Sequence, residues 1–266
     1  MPSMFYDPAT FNKVVGVGSV RSLDIQMRQA QSKDPLITNA IRHAIDTYWF
    51  KNESPRWNRL TTVGRGSKNT LNQHIRILKN NSSSLKKLFD TKPQQGIGPG
   101  EVMMMYLVED SYLAGTDQSG DLRLRSGGTK AYEVKAAKRR AFDNSYSQFG
   151  LGSPSFAATL TFKQELESGT AKSGSIKFAK YDKMHIEESK GGWIAEAKKN
   201  GEWNNIVQRY RQLSKTYFDM HPMIIIDKDT YQIVHIGKIN ANMVHPGVYA
   251  KVGGFQPRIY LNGAPS

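Results

Sequence analysis

Residues 120–137 read GDLRLRSGGTKAYEVKAA, two alternating runs on either side of Ser126-Gly127-Gly128. If those three residues form a hairpin loop, Arg125 faces Thr129, Arg123 faces Ala131 and Asp121 faces Glu133. Side chains alternate along a strand, so Leu122, Leu124, Tyr132 and Val134 turn to one side and form core. Asp121, Glu133 and Lys135 then share the other side. Like charges directly opposite in a sheet repel, and the pair makes physical sense only with a cation between them.

A hard divalent ion that prefers oxygen ligands, such as magnesium, would convert that repulsion into binding. Lys135, two residues beyond Glu133, would set its ammonium beside the same ion. There it can orient or help deprotonate an attacking water and offset developing phosphate charge. With a metal supplying a hydroxide-like nucleophile, these are the parts that phosphodiester hydrolysis needs.

Outward from this hairpin, GIGPG (96–100) breaks the chain before EVMMMYLVEDSYL (101–113), an apolar run that reads as a buried helix, although its periodicity also admits a strand. Residues 1–95 read as a helical region. Asp34 and Pro35 open a helix in which Ile37, Ala40, Ile41, Ala44, Ile45, Tyr48 and Trp49 share a face. A second helix is expected over about Asn69–Lys79, with Leu71, Ile75 and Leu78 inward, and a short one at Leu85–Phe89. Arg65, Lys68, Arg76, Lys79, Lys86 and Lys87 decorate this region, either as a solvated face or as a DNA-contacting annex. Residues 96–266 read as an α/β core. Within it, 138–192 is expected as loops with short helices, and 194–218 as one long helix. Trp203, Ile206, Val207, Tyr210, Leu213 and Tyr217 form that helix's stripe, with Lys199, Arg209, Arg211 and Lys215 outside it. MIIID (223–227) and YQIVHIGKI (231–239) read as strands, and GFQPRIYL (254–261) as an edge strand.

The 266 residues carry a formal net charge of +14, which favours a polyanionic partner, nucleic acid before an acidic protein. With no cysteine, disulfides, thiolate zinc sites and cysteine nucleophiles are excluded. The N-terminus lacks a basic region followed by an apolar stretch, and no run of 18 apolar residues occurs, so a soluble cytoplasmic protein without a membrane partner is expected. GVGS (16–19) and GRGSK (64–68) do not complete a phosphate-loop spacing. Histidines 43, 74, 185, 221, 235 and 245 show no paired ligand spacing. Glu109 and Asp110 are expected to face water, and Trp57, between Arg56 and Arg59, is a candidate DNA contact.

Asp121, followed after eleven residues by Glu133-Val134-Lys135, resembles the signature of the PD-(D/E)xK nuclease superfamily. Gly120 stands where that family has proline. GIGPGE, an apolar helix, then GD and a hairpin to EVK are similar to the arrangement in phage-encoded members. The likeness covers roughly residues 96–140. It implies a restriction-endonuclease-like fold, with a central mixed sheet flanked by helices, and a magnesium (or manganese) site. Asp121, Glu133, the Val134 carbonyl and Glu101 would be its ligands, and Lys135 would assist the water. DNA is the implied partner, with Lys138, Arg139, Arg140 and Arg123 on its phosphates, and a homo-oligomer or phage virion proteins as further partners. Two other readings stay open: a virion or DNA-packaging protein that binds DNA or its ends without hydrolysis, and a structural protein whose charge meets an acidic partner.

Overall fold

Local sequence and long-range capping together set the architecture seen in a computed structural model. The structure describes residues 42, 45, 50, 67–81, 84–90, 98, 100–113, 120–126, 131–137, 149–150, 157–169, 179–181, 192–220, 222–245 and 258–261. The chain forms two compact units, one of Met1–Ala136 with His221–Gly237 and the other of Ala137–Met220 with Lys238–Ser266.

The first unit contains helices α1 (Ser67–Asn81), α2 (Ser84–Asp90) and α3 (Glu101–Leu107), and strands β1 (Ser111–Leu113), β2 (Leu122–Leu124) and β3 (Ala131–Ala137). With β5 (Met223–Asp227) and β6 (Ile233–Gly237) these strands make a mixed five-stranded sheet in the order β1-β2-β3-β5-β6. The fold is α/β. Strands β1 and β2, β2 and β3, and β5 and β6 pair antiparallel. Leu122, Leu124, Tyr132 and Val134 are buried as alternation requires, in one core with Ile224, Ile226 and Ile233. Helix α1 adds Leu71, Ile75 and Leu78, its expected inward stripe, and α2 adds Leu85, Leu88 and Phe89.

The apolar run 101–113 is helical only to Leu107; it turns at Glu109-Asp110 and continues as β1. A buried arginine holds that turn. The Arg42 guanidinium, fully buried, donates through Nη2 to the carbonyls of Met105 (2.9 Å), Val108 (2.5 Å) and Ser111 (2.7 Å). Carbonyls at a helix C-terminus have no partner within the helix, and a cation there also complements the helix dipole. Of the helix expected over 34–50, Arg42 and Ile45 are helical and buried, Phe50 stacks on Tyr106, and the remainder lies outside the described residues.

Strand β6 ends the sheet, and α1 lies along it. The Asn72 side chain donates to the Ile233 carbonyl at 2.8 Å and accepts from its N–H at 2.7 Å, taking the place of a neighbouring strand. An otherwise open edge is thereby blocked.

In the second unit α4 (Ala157–Ser168) packs on α6 (Trp203–Met220), with α5 (Gly192–Lys199) before it. The single helix expected over 194–218 is thus two. Gly201, at φ 72°, breaks it, and the Glu202 carboxylate accepts from the Ala179 N–H and the Tyr181 hydroxyl, each at 2.7 Å. Arg209, expected outside the stripe, is buried in a two-pronged pair with Glu165 at 2.7 and 2.6 Å. Arg258–Ile259, expected at an edge, is instead the central strand β8 of a small sheet, between β4 (Phe149–Gly150) and β7 (Val244–His245). Among the described residues no helix is long and apolar enough to cross a membrane.

Candidate active site

The β2–β3 hairpin has the register expected from its loop, with Arg123 opposite Ala131 and Leu122 opposite Tyr132. Continuing it sets Asp121 against Glu133, but Asp121 lies in a bend just before β2 and closes onto β3 in its own way. Its N–H donates to the Tyr132 carbonyl at 2.8 Å, and its Oδ2 accepts the Val134 N–H at 2.8 Å. Gly120 permits this bend. It sits at φ 80°, and a Cβ there would stand 2.7 Å from the Ala131 Cβ, so a side chain would meet both strain and a clash.

Lys135 reaches back over the same face. Its Nζ lies 2.5 Å from Glu133 Oε1 and 3.3 Å from Asp121 Oδ2. Glu133 is held through its backbone, its N–H donating to the Pro222 carbonyl at 2.9 Å, which ties β3 to the start of β5.

The third carboxyl comes from the other side of the sheet's sequence neighbourhood. Glu101 is the first residue of α3, is only 4 % exposed, and accepts the Gly98 N–H on Oε1 at 2.5 Å. Gly98 makes room for it, since a Cβ there would approach Oε1 to 2.8 Å. Gly98, in the segment read as a chain break, thus cradles this carboxyl.

These groups feel one another. Burial pushes the Glu101 carboxyl up to about 9, and Asp121 and Glu133 add to the shift while the Gly98 N–H and Lys135 oppose it. Burial also raises Asp121, to about 6, with Lys135 opposing and Glu133 reinforcing. Burial pulls Lys135 down, but Asp121 and Glu133 outweigh it and hold the ammonium above its ordinary value. At neutral pH the site therefore holds a protonated Glu101, an ionised Asp121 and a charged Lys135.

No protein-family model, curated protein or solved structure matches the chain. The functional reading accordingly rests on these residues and their geometry.

All the acidic donors are oxygens, the set that suits a hard cation. Among the described residues no three of His, Cys, Asp and Glu converge into a ready-made ligand cage; positive charge between Asp121 and Glu133 comes from Lys135. Asp121 and Glu133 share one face of the hairpin and Glu101 lies near enough to feel both, and with these carboxylate oxygens as donors the residues fit a divalent ion.

Of the other expected site residues, Val134 turns its side chain into the core and its N–H onto Asp121. Arg123 is half-buried on β2, opposite Tyr112 and Ala131. Lys138, Arg139, Arg140, Arg65 and Trp57 lie outside the described residues. Glu109 is exposed as expected, whereas Asp110 is half-buried and accepts the Ser126 N–H at 2.9 Å, tying the end of β2 to the turn between α3 and β1. Arg42 and Gly98 carried no local signal: an arginine in a helix and a glycine in a loop declare a partner only once the partner is in place.

Proposed function

We propose that this chain is a metal-dependent DNA nuclease of the PD-(D/E)xK type, with a restriction-endonuclease-like core and an active site of Glu101, Asp121, Glu133 and Lys135. The observation that supports the reading is the Asp121–Lys135–Glu133 ion-pair cluster on the hairpin, with buried Glu101 near enough to feel all three charges. The net charge of +14 makes a polyanionic substrate the natural partner.

In this mechanism Glu101, Asp121 and Glu133 would hold magnesium or manganese, with the Val134 carbonyl as a further donor. When bound, such an ion lowers the pKa of a coordinated water and polarises the scissile phosphate. Asp121 is kept in place by the Val134 N–H, and Glu101 by the Gly98 N–H, so both are oriented in advance. To serve as a ligand Glu101 would have to release the proton that it holds at neutral pH. Lys135, charged at neutral pH, orients the attacking water and offsets charge on the phosphate; it does not act as the base in that state. Lys138, Arg139, Arg140 and Arg123 are the proposed phosphate contacts.

The double ion pair of Lys135 also suits a second reading, in which the site is neutralised from within and the protein binds DNA or a DNA end, as a packaging or virion component does, without cutting it. Purified protein with linear and circular DNA, plus magnesium or manganese, separates the two. Metal-dependent cleavage lost in Asp121→Asn and Lys135→Ala, with DNA retention kept, is the expected result. Retention on DNA with no cleavage by the parent protein assigns the second reading, and no retention at all removes both.

A further inference from the structure

Helix α1 contains no acidic residue along its length. Its inward side is spent on the core through Leu71, Ile75 and Leu78. Its exposed side presents Lys68, Asn69, Gln73, Arg76, Lys79 and Asn80, a surface of cations and amides without a carboxylate. Exposed helix faces commonly interleave both signs, with Glu or Asp a turn away from Lys or Arg. The neighbouring α2 does so, pairing Lys86 with Asp90, as α6 does with Lys215 and Asp219.

The face is also held firmly. Asn72 joins the β6 backbone through two hydrogen bonds, the Lys68 ammonium lies at the Val234 carbonyl, and Lys79 stands over the Tyr231 ring at 5.7 Å. From Lys68 to Lys79 the helix rises about 16 Å. That is the axial rise of roughly five base pairs, at about 3.4 Å per nucleotide of one strand.

We infer that the exposed face of α1, through Lys68, Arg76 and Lys79 with Asn69, Gln73 and Asn80 between them, is a docking surface for the phosphate backbone of duplex DNA. Lysine and arginine supply charge, and the amides donate hydrogen bonds to phosphate oxygens without reading sequence. The choice of DNA rests on the nuclease reading of the acidic cluster; the polyanion-binding face rests on α1 by itself.

The test is fluorescence polarisation of the full chain with a labelled 20-base-pair duplex, in chelator, across a salt series. Each phosphate contact contributes about −0.9 to the slope of log Kobs against log salt. Arg76→Gln with Lys79→Gln is expected to flatten the slope by about 2 and to weaken binding equally for unrelated sequences. Gln73→Arg, which adds a charge on the same face, is expected to steepen it by about 1. Lys198→Gln with Lys199→Gln, exposed on α5, serves as the control and leaves it unchanged. Slopes identical to the parent in both α1 variants, or no duplex binding by the parent at low salt, overturn the proposal. Equal dependence on these residues but tighter binding to duplex RNA overturns the choice of DNA. Because chelator removes cleavage from the measurement, a flattened slope in a protein that never cuts DNA keeps the surface while discarding the nuclease reading. An unchanged slope in a protein that cuts does the reverse.

Discussion

Replacing Glu101 with glutamine tests the electrostatics of the site in the absence of any cation. Glutamine keeps the shape of the side chain and an oxygen to accept the Gly98 N–H, but it cannot ionise. In the folded chain the Glu101 carboxyl is raised from its ordinary 4.5 to about 9. The native state therefore binds more protons than the unfolded state between those values, and stability falls as pH rises through that window. From pH 4.5 to 7.5 the loss is about three units at roughly 1.4 kcal/mol each, or about 4 kcal/mol. Glu101→Gln lacks this loss. It should match the parent near pH 4.5 and exceed it by up to about 4 kcal/mol at pH 7.5. Asp121, raised to about 6, leaves a smaller decline with pH in both proteins up to that value. Urea unfolding followed by far-ultraviolet circular dichroism, which reports both units, at pH 4.5 to 8.5 in chelator, reads the difference. Parallel stability curves for the two proteins, or a variant less stable at every pH, would refute the reasoning.

Other outcomes follow from the same physical arguments. Magnesium should raise the parent's midpoint of unfolding more at pH 8 than at pH 5, because protons on Asp121, raised to about 6, and on Glu101, raised to about 9, compete with the ion; the same rise at both values would count against a carboxylate site. If the chain cleaves DNA, kcat/KM should climb as pH rises from 5 toward 9, because protons on Asp121, raised to about 6, and on Glu101, raised to about 9, both oppose loading of the site; a profile flat over that range would separate these groups from the chemistry. Arg42→Met strands the carbonyls of Met105, Val108 and Ser111 and should cost about 3 to 5 kcal/mol in urea unfolding at an unchanged slope. Glu165→Leu leaves Arg209 buried without its partner and should cost about 3 kcal/mol, most of which Glu165→Leu with Arg209→Met recovers; a double variant as unstable as the single one would show that packing, not charge, dominates there.

What could be read from the chain were features with a local cause. Alternation at period two with a serine-glycine turn defines the 120–137 hairpin, its register and its buried face, because a one-residue slip would turn every apolar side chain to water. The stripe Leu71, Ile75, Leu78 defines α1 in the same manner, and the strands at 223–227 and 233–237 stand out as short apolar runs around a polar turn. The break at Asn200-Gly201 was not read, and one helix was expected across it: asparagine and glycine commonly end helices, but the amphipathic stripe on either side masks that signal.

Tertiary structure decided the rest, for reasons of distance along the chain. Arg209 falls on the polar side of its helix by periodicity, yet is buried because Glu165, 44 residues away, supplies the countercharge that makes burial tolerable. The apolar run after Gly100 splits into helix and strand because Arg42, more than 60 residues earlier, satisfies the carbonyls exposed at the split. The hairpin brings Asp121, Glu133 and Lys135 together by local pairing. Glu101 joins them only when α3 packs beside the sheet, and there the shared loss of water raises two of the acids. Periodicity is a property of neighbouring residues and can be read in order, whereas desolvation and countercharge belong to whatever the folded chain sets side by side.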